Sequence, residues 1–242
     1  MADEDKLVKA GVEAALKPFA DLLDKLAGPA AEEIGLTLKD HVRVFRLKRQ
    51  IRLFERVKKI LADANMEPGH VPFKLLLPMV ENASVEEDDD LQDRWAAMLA
   101  NAAIKRDVHP SFPEILKQLN EKEVLYLDAC YEYSEGKHRV GRDKVTPAIK
   151  RQERYRELDE EFFFRLGECL GVSAEGYIML RNKATRMFPS SGLEDNVIRL
   201  GLMHVSTKDL KHRLTHFGIA FVEACRRPSR EDHRARSTSS SE

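Results

Sequence analysis

The segment from Leu193 to Cys225 constrains the fold of this chain more than any other stretch of the sequence. A short helical pattern closes on Leu200–Met203, and a polar, strand-like connection follows it. Leu214-Thr215-His216-Phe217-Gly218 then opens a last amphipathic helix. Many winged-helix domains finish with this order of helix, hairpin and helix. We therefore expect residues 203–215 to form a two-stranded hairpin between two helices.

The rest of the chain has the pattern of a helical protein. Apolar residues recur at three- and four-residue spacing along most of it, which predicts amphipathic helices. The predicted fold is mainly α, with an N-terminal helical region at about 1–105 and a C-terminal winged-helix-like region at about 106–225 that carries one small β-hairpin. Residues 226–242 are rich in Ser and Arg and have no large apolar side chain, so we expect a disordered tail.

Local patterns predict where individual helices begin and end. Ser84-Val85-Glu86-Glu87 predicts a capping box before the helix that carries Trp95, with a run of acids in its first turns. Asn120-Glu121-Lys122-Glu123 predicts another capped helix, which we expect to end before a polar loop at Ser134–Thr146. Trp95, the only tryptophan, is expected to anchor the core between helices.

Composition excludes several classes of protein. The formal net charge of -1 gives no overall attraction to nucleic acid, so such affinity has to come from a local patch. The longest apolar run, Leu75–Val80, is too short to span a bilayer, and the acidic start lacks a secretory signal. Cys130, Cys169 and Cys225 are few, odd in number and widely spaced, which indicates reduced thiols. Together these features predict a cytoplasmic protein.

The strongest local charge signal is a predicted helix between residues 43 and 59, where eight Lys and Arg side chains accompany one acid, Glu55. At 100° per residue, five of the cations fall within an arc of about 100°: Lys48, Arg49, Arg52, Arg56 and Lys59. Such a stripe fits nucleic-acid phosphates, an acidic protein or a membrane surface, and it also fits acidic faces of the same chain. Cations of the predicted wing complete the candidate binding set: Lys208, Lys211 and Arg213.

The short helix at about Leu193–Leu200 is the one that would enter a major groove. Its polar residues include two acids, Glu194 and Asp195, which repel phosphates. Only Asn196 and Arg199 suit base edges. A winged helix used for protein packing is therefore favoured over sequence-specific recognition of DNA.

Candidate catalytic patterns are few. Arg199 and His204 have an Arg-x-x-x-x-His spacing found in ribonucleases that work as helical dimers, where the His acts in acid–base catalysis and the Arg stabilises phosphate charge. Gly201 lies within the pattern, where the helix should end, so we expect the pair not to be catalytic. His204, His212 and His216 have no Cys or acid at ligand spacing, so we predict no metal site. We also expect no cofactor and favour a protein that is not an enzyme.

Five segments carry a resemblance to a known family: 71–78, 91–102, 109–112, 198–202 and 214–221. They resemble the bacterial abortive infection alpha family (Abi-alpha), over roughly Pro29 to Cys225. The resemblance implies a cytoplasmic bacterial protein linked to phage defence, and it transfers no catalytic residues to this chain.

From this resemblance we expect an interaction protein that acts by binding, with a protein partner or with itself. Two alternatives stay open. One is a nucleic-acid-binding regulator that uses the basic helix 43–59 and the wing, and the other is a ribonuclease that uses Arg199 and His204.

Overall fold

The computed structural model of the 242-residue chain describes residues 25, 43–143, 145–170, 193–205 and 212–228. The predicted mainly α fold with one small hairpin is confirmed. The elements in chain order are α1 (Arg43–Ala64), α2 (Phe73–Ala83), α3 (Asp89–Ala103), α4 (Phe112–Leu116), α5 (Glu121–Arg142), α6 (Ala148–Leu170), α7 (Leu193–Arg199), β1 (Met203–Val205), β2 (His212–Leu214) and α8 (His216–Ala224). Several parts of the chain lie outside the described residues: 1–24 and 26–42 of the predicted N-terminal helical region, the wing residues Lys208 and Lys211, and the tail beyond residue 228.

The chain groups into two compact units. One comprises Met1–Lys117 with Glu223–Glu242, and the other comprises Gln118–Val222. The division expected from sequence, into regions at about 1–105 and 106–225, stays a prediction.

The first unit has its core between α1, α2 and α3. The side chains that α1 buries lie on one face of the helix, and they include Leu53, Phe54 and Val57. Trp95 on α3 is 1% exposed, so its predicted burial is confirmed. Because large apolar side chains from three helices meet around α3, this helix is the centre of the unit.

The start of α3 differs from the prediction. Ser84 ends α2, where its hydroxyl donates to the carbonyl of Glu81 at 2.6 Å, so the predicted capping box is wrong. Asp88 caps α3 instead, and its carboxylate accepts the backbone N–H groups of Asp90 and Leu91 at 2.9 Å each. Both residue types can cap, but the negative charge of Asp88 is also favoured by the helix dipole.

The end of α8 belongs to the first unit and is tied to α3. Asn101 is fully buried, and its amide nitrogen donates to the carbonyls of Ala224 at 2.9 Å and Arg226 at 2.8 Å. Arg227 forms an ion pair with Asp93 at 2.9 Å. Because the last carbonyls of a helix have no partner within it, the buried amide acts as the cap that ends α8.

The second unit contains an antiparallel helical hairpin of α5 and α6. The predicted capping box is confirmed, since the Asn120 side chain accepts from the N–H of Glu123 at 3.0 Å and the Glu123 carboxylate accepts from the N–H of Asn120 at 2.8 Å. The loop predicted at Ser134–Thr146 is wrong, because α5 continues to Arg142. Its polar second half is helical where it packs on α6.

Close contacts along this hairpin explain the longer helix. The Tyr133 ring stacks on Phe162 at 4.5 Å between centroids, and its hydroxyl donates to Asp159 at 2.6 Å. A Cβ at Gly136 would lie 2.7 Å from a methyl group of Leu158, so the glycine lets the two helices approach. These contacts stabilise a stretch that is polar when considered alone.

The predicted β-hairpin is also confirmed. β1 and β2 pair antiparallel, with Met203 opposite Leu214 and Val205 opposite His212. α7 ends at Arg199, and Gly201 has a φ of 74°, in the left-handed region that favours glycine. The winged-helix assignment itself stays a prediction.

The Leu-Thr-x-x-Gly motif now has a physical explanation. The Thr215 hydroxyl donates to the carbonyl of Gly201 at 2.8 Å and accepts the N–H of Gly218 at 2.8 Å, so Thr215 caps α8. A Cβ at Gly218 would lie 2.8 Å from the carbonyl carbon of Leu202. Glycine is therefore required for α8 to begin directly against the chain that leads into β1.

Candidate binding surfaces

The predicted basic stripe on α1 lies opposite the buried face, and the structure divides it into two groups. The first group, Arg49 and Arg56, lies two turns apart at the edge of the core face. The second group consists of three exposed residues, Lys48, Arg52 and Lys59, which we call the cation row.

Arg56 pairs with acids at the start of α3. Its guanidinium donates to the carbonyl of Asp89 at 2.7 Å and forms ion pairs with the carboxylates of Asp89 at 2.6 Å and Asp93 at 2.9 Å. Asp93 is the same acid that pairs with Arg227. Two arginines from distant parts of the chain thus converge on one carboxylate of α3.

Arg49 binds the connection that precedes α3. Its guanidinium donates to the carbonyl of Glu86 and pairs with the carboxylate of Glu87 at 3.5 Å. The Arg49 side chain is largely covered, unlike that of Glu87. Together with Arg56, it fixes the acidic connection on α1, so two of the eight candidate binding residues have a structural role.

The cation row is available to a partner. Lys48, Arg52 and Lys59 are exposed and form no ion pair with any acid in the described part of the chain. On a helix they fall within an arc of about 40° and extend over about 16 Å. Glu55 lies near the same arc and is the acid closest to the row in sequence. Three cations with one local acid leave a narrow positive strip along α1.

Three polar side chains of α7, those of Glu194, Asn196 and Arg199, form hydrogen bonds within their own unit. Glu194 is buried, and the hydroxyl of Tyr126 on α5 donates to its carboxylate at 3.4 Å. Burial, together with the nearby Cys130 and Glu194, raises the pKa of Tyr126 well above its usual range. Tyr126 therefore stays neutral and remains a hydrogen-bond donor to Glu194.

Asn196 and Arg199 also form hydrogen bonds within their own unit. The Asn196 amide donates to the carboxylate of Glu123 at 2.8 Å and to the carbonyl of Gln118 at 3.0 Å. Arg199 donates to the side-chain oxygens of Gln118 at 3.2 Å and Asn196 at 2.7 Å. The two residues that suited base edges thus attach α7 to the start of α5.

The remaining candidates lie on different elements. His204 is exposed on β1, opposite Arg213 on β2, which is exposed as well. Arg199 lies on α7 and contacts Gln118 and Asn196. Within the described residues, no group of three His, Cys, Asp or Glu side chains could hold a metal ion. No helix within those residues is long and apolar enough to cross a membrane.

The turn between α5 and α6 is a feature that sequence analysis missed. The Asp143 carboxylate accepts the N–H groups of Val145 at 3.1 Å and Thr146 at 3.0 Å, and the Thr146 hydroxyl at 2.5 Å. The hydroxyl bond and the backbone bonds lower the pKa of Asp143 below its usual range. The Asp-x-x-Thr spacing was the available signal, since Asp commonly accepts such bonds in turns.

The sequence model of the family described as abortive infection alpha matches residues 46–225, which include residues of every helix and strand described above. No curated protein and no solved structure matches the chain. The family match spans most of the sequence, so the chain belongs to the abortive infection alpha family.

Proposed function

We propose that the protein acts in abortive-infection-type phage defence by binding a protein partner, in the bacterial cytoplasm, and that it does not act as an enzyme. Family membership supports the defence role, because the family is described as abortive infection alpha. Two of the cysteines, Cys130 and Cys225, are buried and form no disulfide, which supports a reducing compartment.

The observation that carries the binding proposal is the cation row. Lys48, Arg52 and Lys59 project from a helix whose opposite face is firmly packed, so the row is exposed on a rigid support. Each single surface ion pair contributes little to affinity. A row of like charges nevertheless accelerates association and selects the orientation of an oppositely charged partner.

An acidic protein face fits this row better than nucleic acid does. The row's spacings of four and seven residues match acidic side chains one and two turns apart on a partner helix. Base recognition by α7 would need Asn196 and Arg199, which are already bonded to Gln118 and Glu123. A nucleic-acid-binding regulator that used the row and the wing would have to bind through phosphates alone.

Charge reversal tests this proposal. The variant Lys48→Glu, Arg52→Glu, Lys59→Glu should lose protection against phage in a plating assay, while wild-type protein protects. The matched control is Lys58→Glu, Lys74→Glu, Lys122→Glu, which changes the net charge equally at exposed positions off the row. The control should protect like wild type.

Purified proteins then identify the class of partner. A protein that copurifies with wild type should bind the row variant more than about tenfold more weakly and the control variant normally. The nucleic-acid alternative would be favoured by a different result. Wild type and the control variant would bind duplex DNA or RNA with a steep salt dependence, and the row variant would not bind. Unchanged protection and unchanged binding by a folded row variant would refute the role of the row.

A further inference from the structure

The end of the α5–α6 hairpin carries a strong local charge. Residues 137–156, which we call the hairpin tip, contain eight Lys and Arg and two acids, in a chain whose net charge is -1. Some of these cations are used internally, since Arg151 donates to the carbonyl of Asp143 at 3.1 Å and Lys137 pairs with Asp159 at 3.0 Å. Four are exposed and form no ion pair within the described residues: Arg139, Arg142, Lys150 and Arg156.

Exposed aliphatic side chains lie among these cations. Val145 is 95% exposed and Ile149 is 74% exposed, and Pro147 and Ala148 between them are exposed as well. No other large apolar side chain among the described residues is as exposed as these two. Two highly exposed aliphatic side chains on a segment rich in exposed cations make this end of the hairpin a candidate interaction site.

Few side chains of the tip are buried. Beyond Cys130, the only buried residue of α5 is Val140. The helix rises about 18 Å between Cys130 and Arg142. Its end is also held in shape, because the Asp143 carboxylate fixes the turn through Thr146 and the N–H of Val145. A rigid tip loses little conformational entropy when it binds.

We propose that the hairpin tip docks on a membrane surface that contains anionic lipids. Val145 and Ile149 enter the headgroup region, while Arg139, Arg142 and Lys150 contact lipid phosphates. The tip shares no residue with the cation row, and its docking does not depend on the proposed protein partner.

The combination of residues favours a membrane over nucleic acid. Phosphates of lipids and of nucleic acid would both account for the arginines. Exposed aliphatic side chains such as Val145 and Ile149, however, gain free energy only where they leave water. Neither Val145 nor Ile149 can stack on a base as an aromatic side chain does. The tip contains both contributions that hold a peripheral protein on a bilayer, namely apolar area and positive charge.

Vesicle sedimentation with the full chain tests the proposal. Wild type should bind vesicles of equal phosphatidylcholine and phosphatidylglycerol, bind pure phosphatidylcholine weakly, and bind less at high salt. Each basic residue near an anionic surface strengthens binding about fivefold, so Arg139→Glu with Arg142→Glu should weaken it more than about tenfold. The charge-matched control, Lys74→Glu with Lys122→Glu, should change binding less than about threefold.

Variants of Val145 and Ile149 test the apolar contribution to vesicle binding. Val145→Ser with Ile149→Ser should weaken binding more than about tenfold, while Val85→Ser, at another exposed valine, should not. Val145→Trp should show a blue-shifted fluorescence on anionic vesicles that Val85→Trp does not show.

Two results would contradict membrane docking, and a third would assign the tip to another partner. Absence of vesicle binding by wild type, or the same binding by the serine pair, would overturn the proposal. If wild type binds duplex DNA or RNA but no vesicles, and the Arg139→Glu, Arg142→Glu variant loses that binding, the tip is a nucleic-acid site instead.

Discussion

Replacing Gly218 with alanine should destabilise the second unit by about 3 kcal/mol. The new Cβ would lie 2.8 Å from the carbonyl carbon of Leu202 and 3.1 Å from its Cα. Nonpolar carbon atoms prefer separations of about 3.5–4.0 Å. Because both neighbouring atoms belong to the backbone, no side chain can rotate away, and α8 has to shift relative to the chain before β1.

The magnitude follows from three contributions. Overpacking of this kind costs about 1–3 kcal/mol, and the rigid backbone contact favours the upper end. The shift also weakens the bond from the N–H of Thr215 to the carbonyl of Leu202, now 3.0 Å, at a cost of about 1 kcal/mol. The better helix propensity of alanine offsets about 1 kcal/mol of this loss.

Urea unfolding followed by circular dichroism measures the effect. The matched control is Gly141→Ala in α5, where the nearest atom is the hydroxyl oxygen of Tyr155 at 3.3 Å, and this variant should stay within about 1 kcal/mol of wild type. If Gly218→Ala proves too unstable to purify, Thr215→Val tests the same junction and should cost about 1 kcal/mol through loss of the cap. A loss below about 1 kcal/mol for Gly218→Ala would refute the close approach at Leu202.

Three further outcomes are expected. Trp95→Ala should lower the free energy of unfolding by about 3–5 kcal/mol in urea, and a loss under about 1 kcal/mol would show that the side chain is peripheral. Since the folded pKa of Asp143 is lowered, its stabilising bonds are fully present above the ordinary value of 3.8 and are lost as the pH falls through the lower folded pKa. The amide NMR signal of Thr146 should therefore be constant from neutral pH to about pH 5 and should move only in stronger acid, and a change near neutrality would contradict the assigned bonds. Arg199→Ala and His204→Ala should leave cellular RNA intact to the same extent as wild type, whereas RNA degradation by wild type that both folded variants abolish would establish the ribonuclease alternative.

Features determined by a few neighbouring residues could be predicted from sequence. The hairpin could be predicted from the Leu-Thr-x-x-Gly motif, because the threonine cap and the glycine contact both act within one short segment. The capping box of α5 involves Asn120 and Glu123 alone. The burial of Trp95 followed from its chemistry and from its apolar neighbours on one helix face.

Features that depend on a distant segment could not be predicted. The polar second half of α5 is helical because Gly136 and Tyr133 meet Leu158 and Phe162 on α6. Read alone, that stretch has two glycines and no regular apolar spacing, which favours a loop even though its Glu, Lys and Arg residues suit a helix.

The same limit applies to the candidate site. Lys48 and Arg49 are adjacent in sequence and both are basic, but only Arg49 lies where the Glu86 carbonyl and the Glu87 carboxylate can reach it. The stripe therefore could be found from sequence, while its division into structural and exposed cations could not. The binding roles of the cation row and Arg213 stay predictions, and Lys208 and Lys211 lie outside the described residues.

The buried amide of Asn101 has a consequence for the order of events during synthesis. Its partners, the carbonyls of Ala224 and Arg226, are translated more than a hundred residues after it. Until these carbonyls leave the ribosome, the amide nitrogen of Asn101 has to stay hydrated, because burying it without an acceptor costs about 1–3 kcal/mol. The first unit therefore cannot close fully until the segment that carries Ala224 and Arg226 has been synthesised and has left the ribosome.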